Sequence, residues 1–238
     1  DGPDDQPGYP TWTANDDIRI DTTRPAVFQY LSWTRYQEMN LLQLNYLIWF
    51  PARTSTGPFD LLAGKLDGLI WRVTLLPDGE PLVFDTIHAC GCYHLFFAGG
   101  STRPIPPGPG LEEPAFFPTT KQFRYTDLPL TLRLSAGSHY LVRVMSEAEV
   151  DDSIHYYKQY PEDTLRNLPR YDLHPRNLYG PDSLVSGTER GERFLFWPMG
   201  ITSPGAMRQA GHHATAFVGR RHFDDAFLFE PILERTAQ

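Results

Sequence analysis

Cysteine and lysine are both scarce in this chain, which has two cysteines and three lysines among its 238 residues. A chain of this length buries enough apolar surface to fold without covalent cross-links, so the cysteines are not needed as a disulfide framework. Acidic residues outnumber basic ones and give a net charge of −8. Because an acidic protein without a basic patch repels nucleic acid, we expect no nucleic-acid partner.

Long hydrophobic runs and familiar catalytic motifs are also missing. No stretch of 18 apolar residues occurs, so we expect no transmembrane segment. The sequence lacks the Gly-x-Ser-x-Gly elbow, the phosphate-binding glycine loop, the His-Glu-x-x-His zinc motif and the calcium loop. The opening residues, DGPDDQPGYPTWTANDD, are acidic and rich in proline and glycine. We interpret 1–24 as an extended polar leader and expect a periplasmic or extracellular protein, with the cytoplasm as the alternative.

Alternating and β-branched runs predict a mainly β fold. Segments 27–36 and 41–50 are interpreted as two strands, although the composition around the second also suits a helix. The turn sequence Pro-Asp-Gly-Glu predicts that 68–76 and 81–88 form a hairpin, and a second hairpin is expected over 130–145. We therefore expect a single-domain sandwich or a bent antiparallel sheet, with long proline-rich loops and one or two short helices.

The proline-rich segment 99–120 carries six prolines and is predicted to be a loop, because proline lacks the amide hydrogen that a strand ladder needs. Residues 25–238 are expected to form one domain, and this loop is the best place for an internal break. Segment 146–160 suits a helix, and 186–198 suits a turn followed by a strand.

The most distinctive stretch is HACGCYHLFF, which holds His88, Cys90, Cys92 and His94. Imidazole and thiolate are ligands that zinc and copper prefer. On a strand, residues at this spacing all face the same way. Four of them on a straight strand span about 20 Å, so one ion collects two or three at most unless Gly91 bends the chain. We expect a mixed His/Cys site for zinc or copper.

Three other interpretations of the two cysteines stay open. A Cys90–Cys92 disulfide needs Cα atoms within about 6.8 Å, which is the limit for an extended tripeptide. A free thiol beside histidines is a candidate nucleophile, because a nearby imidazolium lowers the thiol pKa. Two buried cysteines can also act simply as small hydrophobic side chains.

A second histidine-rich stretch, GHHATAFVGRRHFDD, supplies His212, His213 and His222. If it meets the first stretch in space, these residues become further candidate metal ligands. Neighbours on a strand face opposite ways, so at most one of His212 and His213 would point into such a site.

Two carboxylates, Glu113 in the proline-rich loop and Asp85 before the cysteines, are candidate general bases beside a metal-bound water. His139 is isolated in the sequence and is expected to be structural. The pattern favours a metal-binding protein or metalloenzyme. The alternatives are an enzyme that uses Cys90 or Cys92 as nucleophile with a nearby histidine, and a non-catalytic β-rich binding module.

Overall fold

A six-stranded sheet forms the centre of the molecule. The computed structural model describes residues 2–108, 114–146, 156–170, 172, 174–214 and 221–236. The strands of the sheet are β3 (Ala26–Tyr36), β4 (Met39–Arg53), β5 (Gly64–Leu75), β6 (Pro81–His88), β7 (Leu95–Ala98) and β11 (Lys158–Pro161). Their order is β11-β3-β4-β5-β6-β7, with β3 to β7 antiparallel and β11 parallel to β3. The expected mainly β fold is confirmed.

Turn chemistry sets the register of the central strands. Gly79 takes a φ of +88°, and the Leu76 amide donates to the Glu80 carbonyl at 2.8 Å. This turn pairs β5 with β6 and places Arg72 directly opposite Asp85. The hairpin predicted from the Pro-Asp-Gly-Glu turn is therefore confirmed.

Three two-stranded ribbons surround the sheet. They pair β1 (Tyr9–Trp12) with β2 (Ile18–Asp21), β9 (Leu130–Leu134) with β10 (Leu141–Ser146), and β8 (Thr102–Pro104) with β12 (Leu233–Arg235). The second ribbon is the hairpin expected over 130–145. The first lies where a polar leader is expected, but its apolar side chains are buried in the core. Residues 9–21 are therefore part of the folded domain.

Each face of the sheet has its own apolar packing. On one face, Phe28, Leu47, Ile70 and Ile87 form a row across four strands. They belong to one core cluster with the first ribbon and with the later residues Leu165, Leu168, Leu178, Tyr179, Val185 and Met207. On the other face, an aromatic cluster is covered by the β9–β10 ribbon; its buried members are Trp71, Phe84, Phe97, Phe123 and Val144. The sheet thus separates two sets of side chains that the sequence interleaves.

Helix is rare. Within the described ranges the one α-helix is α1 (Arg193–Phe196), and it lies where a strand was expected. Pro198 lies in the first turn of the 3-10 helix Trp197–Met199 that directly follows α1, where proline is tolerated, and it could not take part in a strand ladder. The helix expected over 146–160 is contradicted at β11, and its residues 147–155 lie outside the described part. Among the described helices, none has the length and apolarity to cross a bilayer.

Candidate functional site

The histidine–cysteine stretch forms a tight turn between β6 and β7. β6 ends at His88, whose amide donates to the Cys92 carbonyl at 3.0 Å, while the Gly91 amide donates to the His88 carbonyl at 2.8 Å. Gly91 has a φ of +90°, which glycine adopts without the steric cost of a Cβ. The prediction that His88, Cys90, Cys92 and His94 share one strand face is therefore wrong, because the chain reverses between the two histidines.

His88 faces a buried carboxylate, Asp67, which begins the apolar run of β5. Its Nδ1 lies 3.4 Å from Asp67 Oδ1, and the other carboxylate oxygen lies 2.8 Å from His139 Nδ1. His139 lies between β9 and β10, stacks on Phe50 and has its Nε2 3.2 Å from the Asp4 carbonyl. Asp67 therefore joins two imidazoles that are 51 positions apart in the chain.

In the pKa values of Asp67 and His88, the effect of neighbouring charges and hydrogen bonds outweighs the effect of burial. Burial alone raises the pKa of Asp67, but the nearby charge of His88 and the hydrogen bond from His139 hold it well below its usual range. Burial alone lowers the pKa of His88, but the Asp67 carboxylate leaves it above its ordinary value. The Nε2 atom of His88 is buried and has no hydrogen-bond partner among the described residues.

His94 belongs to a different group of side chains, centred on Asp85. His94 Nε2 lies 2.7 Å from Asp85 Oδ2, and Arg72 binds the same carboxylate through Nε at 2.9 Å and Nη2 at 2.6 Å. The Arg72 guanidinium also donates to the Phe223 carbonyl at 2.5 Å and lies over the Phe223 ring. Asp85 is fully buried and both its oxygens are occupied, so the predicted general base has no free oxygen to offer a water.

Cys90 and Cys92 are free, half-buried thiols on the turn. A hydrogen bond from Cys92 lowers the pKa of the Cys90 thiol; burial opposes this, and the charge of His88 adds to it. The pKa of Cys92 is raised well above its ordinary value, first by its hydrogen bond to Cys90 and then by burial. The pKa values of the two thiols are therefore shifted in opposite directions, down for Cys90 and up for Cys92.

Two buried arginines, Arg190 and Arg208, lie close enough to the turn for the charge of Cys90 to act on them. Arg190 donates to the carbonyls of Lys65 and Leu66, and Arg208 donates to four carbonyls, including those of Thr202 and Ser203. Within the part of the chain that the structure describes, neither forms an ion pair with a carboxylate. A buried charge is costly without a counter-charge. Burial lowers the pKa of both arginines; the charges of Asp67 and Cys90 oppose this at Arg190, and those of Cys90 and Cys92 oppose it at Arg208.

The second histidine stretch meets the first at one point. His213 is fully buried, and a Cβ built on Gly91 would lie 3.6 Å from its Cα atom. Its Nδ1 is 3.4 Å from Asp224 Oδ2, yet neither ring nitrogen has a hydrogen-bond partner among the described residues. His212 and His222 are exposed. Only His213 of the three therefore adjoins the turn.

Sequence reasoning missed four of the side chains around the turn: Asp67, His139, Arg190 and Arg208. Asp67 precedes a glycine at the start of a strongly apolar strand, which is a signal for a buried carboxylate. His139 was expected to be structural, but its contact with Asp67 links it to His88. The other predicted base, Glu113, lies outside the described residues.

The predicted metal ligands do not converge on one point. Within the described ranges, no group of three or more histidine, cysteine and acidic side chains is arranged to hold a metal ion. Comparisons of the chain with protein-family models, with curated proteins and with solved structures find no match. Inference about function therefore depends on the residues of this chain.

Proposed function

We propose that this protein is a thiol–disulfide oxidoreductase whose redox pair is Cys90 and Cys92. One observation carries the proposal: two free thiols lie two residues apart on a turn closed by backbone hydrogen bonds of His88 with Gly91 and Cys92. The lowered pKa of Cys90 and the raised pKa of Cys92 support it. A thiolate is the attacking species in disulfide exchange, and a second thiol nearby resolves the mixed disulfide.

The folded turn removes the earlier objection to a disulfide between these cysteines. In an extended tripeptide the Cα atoms are at the limit of about 6.8 Å. Here the Gly91 and His88 backbone hydrogen bonds fold the chain back on itself, so the extended-tripeptide limit does not apply. An enzyme that uses one of these cysteines as nucleophile and His88 as base is the weaker interpretation, because within the described residues no hydrogen bond joins the His88 ring to either thiol.

The proposed reaction moves two electrons between the protein and a substrate. The Cys90 thiolate attacks one sulfur of a substrate disulfide, forms a mixed disulfide and releases the other sulfur as a thiolate, which takes a proton from water. Cys92 then loses its proton to the solvent, which restores the proton taken by the first substrate thiolate, and attacks the Cys90 sulfur. This step releases the second substrate thiolate and leaves a Cys90–Cys92 disulfide.

Stabilisation of the Cys90 thiolate sets the preferred direction. It lowers the free energy of the reduced protein relative to the disulfide form, so the disulfide form is a good oxidant of substrate thiols. In this proposal the reaction above runs in reverse in an oxidising compartment, which agrees with the periplasmic or extracellular location expected from the sequence.

Trapping of a mixed disulfide tests the proposal. Treated with oxidised glutathione, the wild-type protein should form an intramolecular Cys90–Cys92 disulfide, detected by mass spectrometry as loss of the two thiol hydrogens. Cys92→Ser should accumulate glutathione on Cys90, because the resolving thiol is gone. Cys90→Ser, the matched control, should react more slowly, because burial still raises the pKa of the remaining Cys92 thiol.

An ordinary thiol would give a different result. The dithiol proposal fails if two results are found together. The alkylation rates of both cysteines have their midpoint at the usual thiol pKa of about 8.5, and oxidised glutathione forms no Cys90–Cys92 disulfide in the wild type.

A metal site for zinc or copper is the second candidate function, favoured by a separate observation. Three buried imidazoles around the turn have ring nitrogens without hydrogen-bond partners among the described residues: His88 at Nε2, His94 at Nδ1 and His213 at both nitrogens. Unpaired buried polar atoms are costly, and a metal ion would satisfy them. Gathering them would require the turn to rearrange, since His88 and His94 occupy different side-chain groups.

Elemental analysis distinguishes this second candidate. Protein purified without a histidine tag or chelator should carry about one equivalent of zinc or copper per chain, the content of a single closed site. His213→Gln should lower that content, and replacing the exposed His212 should not. Metal-free protein whose melting temperature is unchanged by added zinc or copper would remove the candidate.

A further inference from the structure

A small cavity lies beside His88, on the side of the sheet away from Asp85. Its volume is 250 Å³, and it lies between β6, β7 and the start of β10. Six of its lining residues are apolar or aromatic: Leu69, Tyr93, Leu95, Phe116, Tyr140 and Leu141. Tyr93 and Phe116 are 44% and 60% exposed and mark its mouth.

One lining residue, His88, has a buried ring nitrogen without a hydrogen-bond partner among the described residues. Its Nδ1 faces Asp67, so Nε2 lies on the opposite side of the ring, and Nε2 has no partner among the described residues. The rings of Tyr93 and Tyr140 each contact the imidazole edge-on, with centroids 5.5 Å away. The hydroxyl of Thr86, another lining residue, is already donated to the Ile70 carbonyl. The His88 ring is therefore fixed in orientation with one nitrogen left for a ligand.

We propose that this cavity binds a small carboxylic acid with an apolar body, whose carboxyl group pairs with His88 Nε2. The proposal goes beyond the dithiol chemistry and does not depend on it.

The ligand class follows from the chemistry of the imidazole and the size of the cavity. A carboxyl group satisfies Nε2 in either protonation state, since the acid donates to neutral imidazole and the carboxylate accepts from imidazolium. Arg53, whose guanidinium lies 4.8 Å from the Tyr140 ring centroid, adds positive charge on this side of the sheet. A cavity of roughly 150 Å³ holds benzene, so this one accommodates a single ring or a short aliphatic chain with one polar group.

Calorimetric titration with matched ligand pairs tests the proposal without any mutation. The probes are benzoate, phenylacetate and hexanoate, each compared with its primary amide, which has nearly the same shape and no charge. At least one acid should bind at least about tenfold more tightly than its amide, as expected for a buried hydrogen bond to a charged group. The proposal is overturned if no acid binds, or if every acid binds no more tightly than its amide.

Two tryptophan variants on β10 locate the binding site. Leu141→Trp fills the cavity and should abolish binding of the acid. Val142→Trp is the matched control, because Val142 is the next residue on the same strand and is 62% exposed, so binding should stay at the wild-type level. Unchanged binding in folded Leu141→Trp protein would show that the ligand occupies another place and would overturn the assignment.

Discussion

The buried ion pair between Arg72 and Asp85 gives the sharpest stability prediction. Asp85→Asn keeps the shape of the side chain but removes its charge. Three hydrogen bonds of 2.6 to 2.9 Å join the carboxylate to Arg72 and His94. Each such bond to a charged group contributes about 1.5–3 kcal/mol, and asparagine retains one acceptor oxygen. The Arg72 guanidinium, 1% exposed, would also lose its counter-charge.

The expected loss of unfolding free energy is about 3–5 kcal/mol, the range found when one partner of a buried ion pair is removed. For a domain of this size, this corresponds to a fall in melting temperature of roughly 6–20 °C. Urea unfolding at neutral pH measures the free energy, and calorimetry measures the melting temperature.

Two further variants check the reasoning. Glu234→Gln breaks an exposed ion pair with Arg103, whose N–O distance is 2.8 Å, and should cost about 1 kcal/mol or less because solvent screens it. The double variant Arg72→Met, Asp85→Leu removes both charges of the pair, leaves neither one unpaired and should cost less than Asp85→Asn alone. If Asp85→Asn lowers the unfolding free energy by no more than Glu234→Gln, the ion pair does not stabilise the fold as argued.

Three other outcomes follow from the turn and its neighbours. Gly91→Ala should destabilise by about 1–2 kcal/mol in urea unfolding, more than Gly79→Ala, because both glycines have positive φ but only the first would place its Cβ against neighbouring backbone. Cys92→Ala should raise the pKa of Cys90 in alkylation-rate profiles, because alanine has no donor to replace the thiol; an unchanged profile would exclude this role. The depressed pKa of Asp67 contributes stability that is present above its unfolded pKa of about 3.9 and is lost as pH falls toward the folded value. Urea unfolding measured at several pH values below about 4 should therefore show that the free energy of unfolding falls less steeply with pH for Asp67→Asn than for wild type. Parallel curves of free energy against pH would contradict the assignment.

Strand positions were predictable because their signals are local. Alternation, β-branched residues and the Pro-Asp-Gly-Glu turn indicate β3 to β6 and the hairpin over 130–145, and the structure confirms them. The errors have local causes as well. The apolar run before Pro198 resembles a strand, yet Phe194, Leu195 and Trp197 are more than half exposed and lie in and beside α1. An apolar run without a sheet neighbour has no ladder to join.

The candidate site was predictable only in part. The sequence indicated the turn residues and raised the possibility that Gly91 bends the chain. It did not reveal that His88 and His94 turn to different partners, because that depends on where the chain reverses. Asp67 and His139 are far apart in the sequence and become neighbours only when β5 packs beneath the β9–β10 ribbon.

By itself, the sequence determined a mainly β fold, an acidic surface and a concentration of imidazole and thiol groups between residues 88 and 94. These properties follow from residue type and local pattern, which act over a few positions. Only the tertiary structure decided that the pKa values of the two thiols shift in opposite directions, that Asp85 is buried in an ion pair and that His88, whose Nε2 has no hydrogen-bond partner among the described residues, lines a cavity. Each of these depends on burial and on charges brought from distant parts of the chain, and the energies of buried charges are set by their neighbours in space.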